Sequence, residues 1–598
     1  MRRFSRTHTH WYLVAAAFAL PAALSSFGCH AGPTYEQSTE PPTCEVTADC
    51  PEVGQICSLD GHCFEPVSET SRIGIELVPQ SSEKEGSVAL TRVEYPPSDV
   101  VSQPDGTVEL VYEEPVKLFG LFNVATAYAV EDTDFEVFEA SLSVWRPSRI
   151  PGRPKVLYST SVSLDIESST ISDFESTDYV VHVPAGDTYA LKASPKGHYA
   201  KVYPPLVAKD LVVAEDEQRD FQFQLEGNYI WATGRVVNAL GEGMPNIQAE
   251  LRDYAGIYSS TISEPTGQDG YFQVALPPGQ RDYTLSLTPT VNATAIPALE
   301  FVLEDVGHVE GYEPIVLTAS DGHDFEYPAL LAPCQYTYRV VGKSSSGTRE
   351  PVPGASVTFT THVGGGTHDD GVIRTQATAD GDGRVTVDLI PGENRNSRSY
   401  EAVVVPPLGS SFAAASLDVT ISRCGGTGAD LELSARAEVV GVVRAFGGAL
   451  VSNLTIEAQP SPATNDGPTP SSLIASAGLS PTATTASDGR FFLELDPGFY
   501  DFELVPPAGS YLPRWLVSDI QVRADAPPID LSFNLRPPRL LMGRVVDEQG
   551  QPVAGFDVKI YGIHEECPEE PPCELPAFYM GEGQTDGEGR FQVIVPEQ

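Results

Sequence analysis

The densest set of metal-ligating residue types is Thr361-His-Val-Gly-Gly-Gly-Thr-His-Asp-Asp370, which brings His362 and His368 near Asp369 and Asp370. Two imidazoles and two carboxylates suit a transition ion. The Gly run is more easily read as a flexible hairpin loop carrying polar residues. Asp380-Gly-Asp-Gly383 suggests calcium, but the twelve-residue ligand series with its closing Glu is absent. Asp488-Gly489 and Asp586-Gly587 hold the same point of a repeat without the extra Asp, so a turn explains all three. The acid excess leaves weak Ca²⁺ binding between domains as a lesser reading. His62-Cys-Phe-Glu65 has a spacing that opens some zinc motifs, yet no later His follows in suitable context. Trp145, Trp231 and Trp515 offer flat faces for sugar rings, though packing suits Trp231, just before a strand at a domain junction, at least as well.

Nucleophilic and phosphate chemistry find no frame. There is no Gly-x-Ser-x-Gly elbow, no His-Glu-x-x-His helix and no Walker lysine loop, and Gly342-Lys-Ser344 lacks the upstream Gly. The 11 His never cluster with a nucleophile. The expectation is a non-enzyme without cofactor.

Composition bounds the rest. The chain has 598 residues, room for about four domains, and its 37 Lys plus Arg face 82 Asp plus Glu for a formal charge of −45. That excludes a general nucleic-acid binder, which needs a basic surface, and argues against electrostatic attachment to anionic lipid. A 41% hydrophobic content supplies real cores, while 52 Gly and 51 Pro leave few windows for long helices. The prior moves to all-β.

Arg2, Arg3 and Arg6 precede an apolar stretch from Trp11 to Leu24, then Ser25-Ser26-Phe27-Gly28 and Cys29. This is an export signal, too short and wrongly flanked for a membrane span. It resembles a bacterial lipoprotein signal, which implies that Cys29 becomes the first mature residue and carries the lipid. Ser26 and Phe27 depart from the Leu and small residue that family prefers; the rival is ordinary cleavage after Gly28 or Ala31. Removing residues 1–28 strips three Arg and no acid, taking −45 to −48.

Of nine Cys, setting Cys29 aside leaves groups of four, two and two. Cys44, Cys50, Cys57 and Cys63 lack the Cys-x₂-Cys pairs of a zinc site and read as a two-disulfide knot, with three connectivities open. The knot resembles small Cys-rich modules of bacterial surface lipoproteins. Cys334 and Cys424 bracket one proposed domain, and Cys567 and Cys573 bracket a Pro/Glu-rich loop.

An internal repeat organises the remainder. Gly543-Arg-Val-Val, Pro552-Val-Ala-Gly555 and Asp586-Gly-Glu-Gly-Arg-Phe591 have counterparts in Gly234-Arg-Val-Val with Asp269-Gly-Tyr-Phe272, in Tyr338-Arg-Val-Val with Asp382-Gly-Arg-Val385, and in Gly441-Val-Val with Asp488-Gly-Arg-Phe491. The openings at 234, 338, 441 and 543 are spaced by 104, 103 and 102 residues. A fainter copy holds Tyr179-Val-Val-His-Val-Pro-Ala-Gly186 and Gly120. Tyr500, Phe502 and Leu504 alternate with Asp501 and Glu503, the period of a half-buried strand. Short strands and frequent turns in each repeat predict tandem Ig-like or prealbumin-like β-sandwiches. Among strand lysines only Lys559 is placed for an isopeptide link.

The pattern Gly-x-Val-Val-x-x-x-Gly-x-Pro-Val-x-Gly, then Asp-Gly-x-Phe and Pro-x-Gly-x-Tyr, resembles the carboxypeptidase regulatory-like domain. That resemblance implies a small transthyretin-like or Ig-like sandwich and specifies activity hardly at all. The expected order is a signal peptide (1–28), a linker (29–43), a Cys-rich module (44–66), a divergent β-sandwich region (67–226) and sandwiches at 227–330, 331–434, 435–536 and 537–598. The last is expected to be truncated, because its Pro-Gly turn and closing strands do not follow. Any enzymatic chemistry would lie in 67–226.

The implied product is an exported, lipid-anchored protein of the Gram-negative cell surface or outer membrane, a string of sandwiches. Its role is non-catalytic binding or structural display toward a cell-envelope or extracellular glycan or protein, touching membrane through the anchor alone. A carbohydrate-binding accessory to polysaccharide handling is the alternative.

Overall fold

Among the described residues, apart from two helices of one or two turns, Tyr199–Val202 and Pro470–Ser476, and two 3₁₀ turns, the regular structure is β-strand. The computed structural model describes residues 41–597 except 53, 69, 81–89, 104–105, 126–136, 166–173, 198, 225–228, 239, 291–297, 310, 320–321, 328–333, 345, 364–370, 393–396, 462–468, 525–527 and 565–575. Cys29, His368, Asp369, Asp370, Cys567 and Cys573 lie outside the described residues. The fold is all-β, with five tandem sandwiches.

One sandwich defines the pattern. In the stretch 437–534 seven strands run Ala437–Arg444, Thr455–Pro460, Thr482–Thr484, Arg490–Leu495, Gly498–Val505, Trp515–Val522 and Ile529–Asn534. One sheet sets the first strand between the antiparallel fourth and the parallel seventh; the other runs third, second, fifth, sixth. The stretches 116–223 and 334–434 repeat this order. In 230–327 the third strand is replaced by irregular chain, whose Ser260, Ser263 and Thr266 N–H groups donate to Leu251, Ala249 and Ile247 carbonyls.

The last sandwich corrects two expectations. Pro538–Asp547, Phe556–Gly562, Phe578–Gln584 and Arg590–Pro596 supply its first four strands. Its fifth, sixth and seventh come from the other end of the chain. Ile73–Pro79 pairs antiparallel with Phe556–Gly562, Val93–Tyr95 pairs with Ile73–Pro79, and Thr107–Tyr112 pairs parallel with Pro538–Asp547. The edge expected to be left open by truncation is therefore filled from within the chain, as the cost of an unpaired edge demands. The region 67–226 is correspondingly not one divergent sandwich. Residues 73–112 form an arm belonging to the fifth sandwich, and Val116–Ala125 begins the first. Numbering follows the chain: 116–223, 230–327, 334–434 and 437–534 are the first four, and the split one is the fifth.

The repeat motif now has a physical meaning. The opening glycine lies directly across from the aromatic residue of the fourth strand: Gly234 from Phe272, Gly441 from Phe491, Gly543 from Phe591, and, in the faint copy, Gly120 from Tyr179. A Cβ on Gly543 would stand 2.3 Å from the Phe591 ring and 2.7 Å from the Val108 carbonyl oxygen. The aromatic ring fills the space over the glycine, a cross-strand pairing that fixes register. In the third sandwich the roles move: Tyr338 holds the opening position opposite Val385, and its ring lies where a Cβ on Gly428 of the seventh strand would be.

The turn before the fourth strand is equally uniform. Gly270, Gly383, Gly489 and Gly589 adopt φ of 77°, 75°, 71° and 71°, and their carbonyls accept from Val236, Val340, Val443 and Val545 N–H at 2.7–2.9 Å. The turn glycine of the last copy is thus Gly589; Gly587 matches Gly381 instead.

Neighbouring sandwiches share buried structure. Tyr229 and Ala275 enter the core of the first, and Leu299 pairs with Ile373 so that one seven-stranded sheet spans the second and third. Between third and fourth, the Asp496 carboxylate accepts from Ala414 N–H at 2.8 Å and pairs with Arg436 at 2.5 Å, all buried. Trp515 of the fourth meets Phe578 of the fifth, and the fifth packs on the first. The contacts close a cycle where an open string was expected.

Gly543→Ala should lower the stability of the fifth sandwich by about 1–3 kcal/mol through overpacking against Phe591 and the Val108 carbonyl. The check is thermal unfolding against Gly550→Ala, which has open space around its Cβ but a φ of 76°.

Candidate binding site and the joint beside it

The structure separates most of the residues that could have done chemistry together. His362 is exposed at the end of Ser356–Val363, and its proposed co-ligands lie outside the described residues. Asp380 Oδ1 accepts from the N–H groups of Asp382 and Arg384 at 2.9 and 2.8 Å, and Asp586 repeats this with Glu588 and Arg590. That carboxylate oxygen closes its own turn, as the turn reading requires. His62 packs on the Tyr511 ring at 4.3 Å, while Glu65 pairs with Arg539, so they do not form a metal pair. The Cys-rich module forms Cys44–Cys57 and Cys50–Cys63, one of the three open connectivities, and Cys334–Cys424 bridges the start of the third sandwich's first strand to the approach of its last. Lys559 faces outward on the second strand of the fifth sandwich, half-buried.

The three tryptophans diverge. Trp231 packs against the first sandwich's core at the junction with the second. Trp145 is half-buried beneath Lys155 Nζ, 4.8 Å from its ring. Trp515 lines a cavity. It opens the sixth strand of the fourth sandwich, and the Arg536 guanidinium lies 4.4 Å above its ring, held by a 3.2 Å hydrogen bond to the Glu597 carbonyl. Phe578 of the fifth sandwich meets Trp515 edge-on at 6.4 Å, and His564 meets Phe578 edge-on at 5.8 Å. Arg72 from the arm reaches the same space, about 270 Å³ in volume. Two guanidiniums, an imidazole and two aromatic faces converge at this domain junction, in a chain whose net charge is strongly negative. The chemistry suits a small planar or anionic group, such as a sugar carboxylate.

A larger groove of about 880 Å³ lies between Val302–Gly307 and Ile315–Ala319 of the second sandwich. Its charged lining is Glu304 and Asp305, with Val302 and Val316 exposed on its walls. No aromatic platform lines it.

Sequence reasoning missed the joint between the fifth and first sandwiches. Glu76 and Glu94 of the arm are each 1% exposed. The loop after Val137–Arg146 brings four groups to them. Arg146 pairs with Glu94 at 3.0 Å, Arg153 with Glu76 at 2.9 Å and Glu94 at 3.2 Å, and Ser148 Oγ donates to Glu94 at 2.7 Å. Arg149 donates its N–H to Glu94 at 3.0 Å and its guanidinium to Asp187 at 2.8 Å. Tyr561 donates to Glu76 at 3.1 Å beneath the Arg153 guanidinium. Burial lowers the Arg146 pKa, but Tyr158, Glu94 and Asp187 outweigh it and hold the pKa above its usual value. The signal available was Arg146-Pro-Ser-Arg-Ile-Pro-Gly-Arg-Pro-Lys155, a cationic run in an acidic chain.

Neither a family model nor a curated protein sequence matches the chain. Among solved structures, a streptococcal ancillary pilin is 12% identical, over 52% of this chain and 99% of that one, with a TM-score of 0.20. The Bacillus anthracis TIE protein is 11% identical over 70% and 74%, TM-score 0.16. The shaft pilin SpaA of Lactobacillus rhamnosus GG is 12% identical over 35% and 98%, TM-score 0.14. Likeness at this level carries nothing about function.

Removing one partner from a buried pair leaves the other charge uncompensated. Glu94→Gln should therefore destabilise the arm by about 3–5 kcal/mol. Amide exchange should speed across 73–79 and 93–95 while the third sandwich, remote from the change, keeps its protection.

Proposed function

We propose that this chain is an exported protein of the bacterial cell surface, anchored by lipid on Cys29, whose role is binding or structural display through carboxypeptidase regulatory-like sandwiches. The observation that carries the reading is the set of three disulfides, Cys44–Cys57, Cys50–Cys63 and Cys334–Cys424. Such bridges persist in oxidising compartments, which agrees with the basic and apolar start that precedes Cys29. The strand order and the glycine–aromatic pairing support the family resemblance. No helix among the described residues is long and apolar enough to cross a membrane. The net charge of −45 keeps a large multi-sandwich surface soluble and unattractive to other acidic surfaces.

Cys29→Ala should move the protein from the membrane fraction to the soluble fraction and abolish incorporation of labelled fatty acid. Membrane attachment unchanged in that variant would sink the anchor.

The cavity beside Trp515 favours a second reading, a holder of acidic glycan for a separate enzyme. Trp515 gives a ring face and Arg536 a carboxylate partner at a junction where ligand sites are common. Binding of residues 30–598 to a panel of uronic-acid and neutral polysaccharides tests it. Trp515→Ala should weaken binding to the acidic members about tenfold, equivalent to about 1.4 kcal/mol. A blank panel from a folded sample removes this reading and leaves protein partners.

A further inference from the structure

We propose that the seam of the fifth sandwich is a point of exchange between copies of this chain. The arm 73–112 of one copy completes the 538–596 half of another and joins them head to tail.

The seam is made of two long ladders and a short third one, in which Glu65 and Pro66 pair parallel with Arg539 and Leu540. Seven residues of Ile73–Pro79 pair with Phe556–Gly562, and six of Thr107–Tyr112 pair with Pro538–Asp547. Core side chains interleave across it: Ile75, Leu77, Val108 and Leu110 from the arm meet Val545, Val558 and Ile560 from the other half. Each half therefore carries an apolar face and an unpaired strand edge complementary to the other half, and every copy contains both.

What makes the halves separable as units is where each is fixed. The arm is bound to the first sandwich. Glu76 and Glu94 are held by Arg146, Arg149 and Arg153, Thr91 Oγ1 donates to the His182 carbonyl at 2.8 Å, and Tyr158 donates to the Arg92 carbonyl at 3.1 Å. The 538–596 half is bound to the fourth sandwich, through Phe578 on Trp515 and through Arg514 over the Tyr579 ring at 4.7 Å. Its links to the first sandwich are fewer, chiefly Ala577 N–H to the Gly152 carbonyl at 2.9 Å and Tyr561 with Arg153. The Cys-rich module precedes the arm in the chain and crosses the seam with it: it rests on Tyr511 and Gln592 and pairs with Arg539 and Leu540, so exchange moves module and arm together. Opening the seam thus leaves two preformed surfaces on two stable neighbours.

The same contacts form within one copy or between two, so the balance is set by concentration and by the cost of closing the cycle. Order of synthesis adds a kinetic opportunity. The arm is made first and waits, with its edges unpaired, while residues 113–537 are made before its own partner strands exist.

The test uses residues 30–598 with native disulfides intact. Val78 and Asp557 are cross-strand partners in the seam, both half-buried, at a spacing a disulfide can bridge. Copies carrying Val78→Cys are unfolded in denaturant, mixed with copies carrying Asp557→Cys, refolded together and oxidised. A covalent dimer joined through the two new cysteines, rising with concentration and lost when Ile75→Asp is added to the first copy, is the expected result. Wild-type chain refolded at rising concentration provides an independent reading by light scattering. Dimers or longer chains that persist on dilution support exchange; monomer at every concentration, with no mixed disulfide, overturns it.

Discussion

A sandwich of this kind is stable only when both of its sheets are full. Two sheets that pack face to face must each carry enough strands to cover the other, and each missing strand exposes backbone donors, acceptors and a slab of core. The residues after Pro538 supply four strands of seven. The remaining three come from the opposite end of the chain, so this requirement ties residue 73 to residue 562 and residue 112 to residue 547. Once that is done, the first and fourth sandwiches are both neighbours of the fifth, and the series of contacts has no free end among the described sandwiches.

The closure changes what the joints must do. In an open array each junction can flex independently, as interfaces between domains in one chain usually do. In a closed one a displacement at any junction must be accommodated by the others. The junctions accordingly use buried, directional interactions: a continuous sheet between second and third, the Asp496–Arg436 pair between third and fourth, and the Glu76–Glu94–arginine cluster between fifth and first. A buried ion pair is a modest source of stability compared with apolar packing, but removing one member is costly, which favours a single arrangement of the partners. At Asp496 burial pushes the carboxyl up while Arg436 and the Ala414 N–H pull it down, and burial prevails. Geometry there is bought at some expense in solvation.

Much of the fold was legible because its rules are local. Period-two alternation in Gly498–Val505 marks a strand with one buried face. The faint first copy was recognisable because Tyr179–Gly186 keeps the strand and turn residues of the later copies and Gly120 keeps their spacing; the structure adds that Gly120 and Tyr179 lie directly across from each other. The arm was not legible. Ile73, Ile75 and Leu77 alternate with Gly74 and Glu76 like any half-buried strand, yet every one of these positions is buried, and the alternation gives no sign that the Glu76 face is covered by the first sandwich. Nothing in 73–112 repeats the Pro-x-Gly-x-Tyr of the other fifth strands, because its entry comes from the Cys-rich module instead of a turn after the fourth strand. Trp515 was visible as an aromatic, but the groups that make a cavity around it come from segments as distant as Arg72, Arg536 and His564. Only tertiary pairing brings them together.

Closure also bears on what adding sandwiches to the chain achieves. Reach grows with the number of domains when they are joined end to end, and a stalk is the natural use of such a series. Here the Cys-rich module and the final sandwich are in contact, through Leu59 and Gln592 and through Glu65 and Arg539. What the added domains do provide is junctions, and it is at a junction that the cavity beside Trp515 is formed, with no one sandwich holding its lining. The added domains thus change the lining of the junctions more than they extend the series.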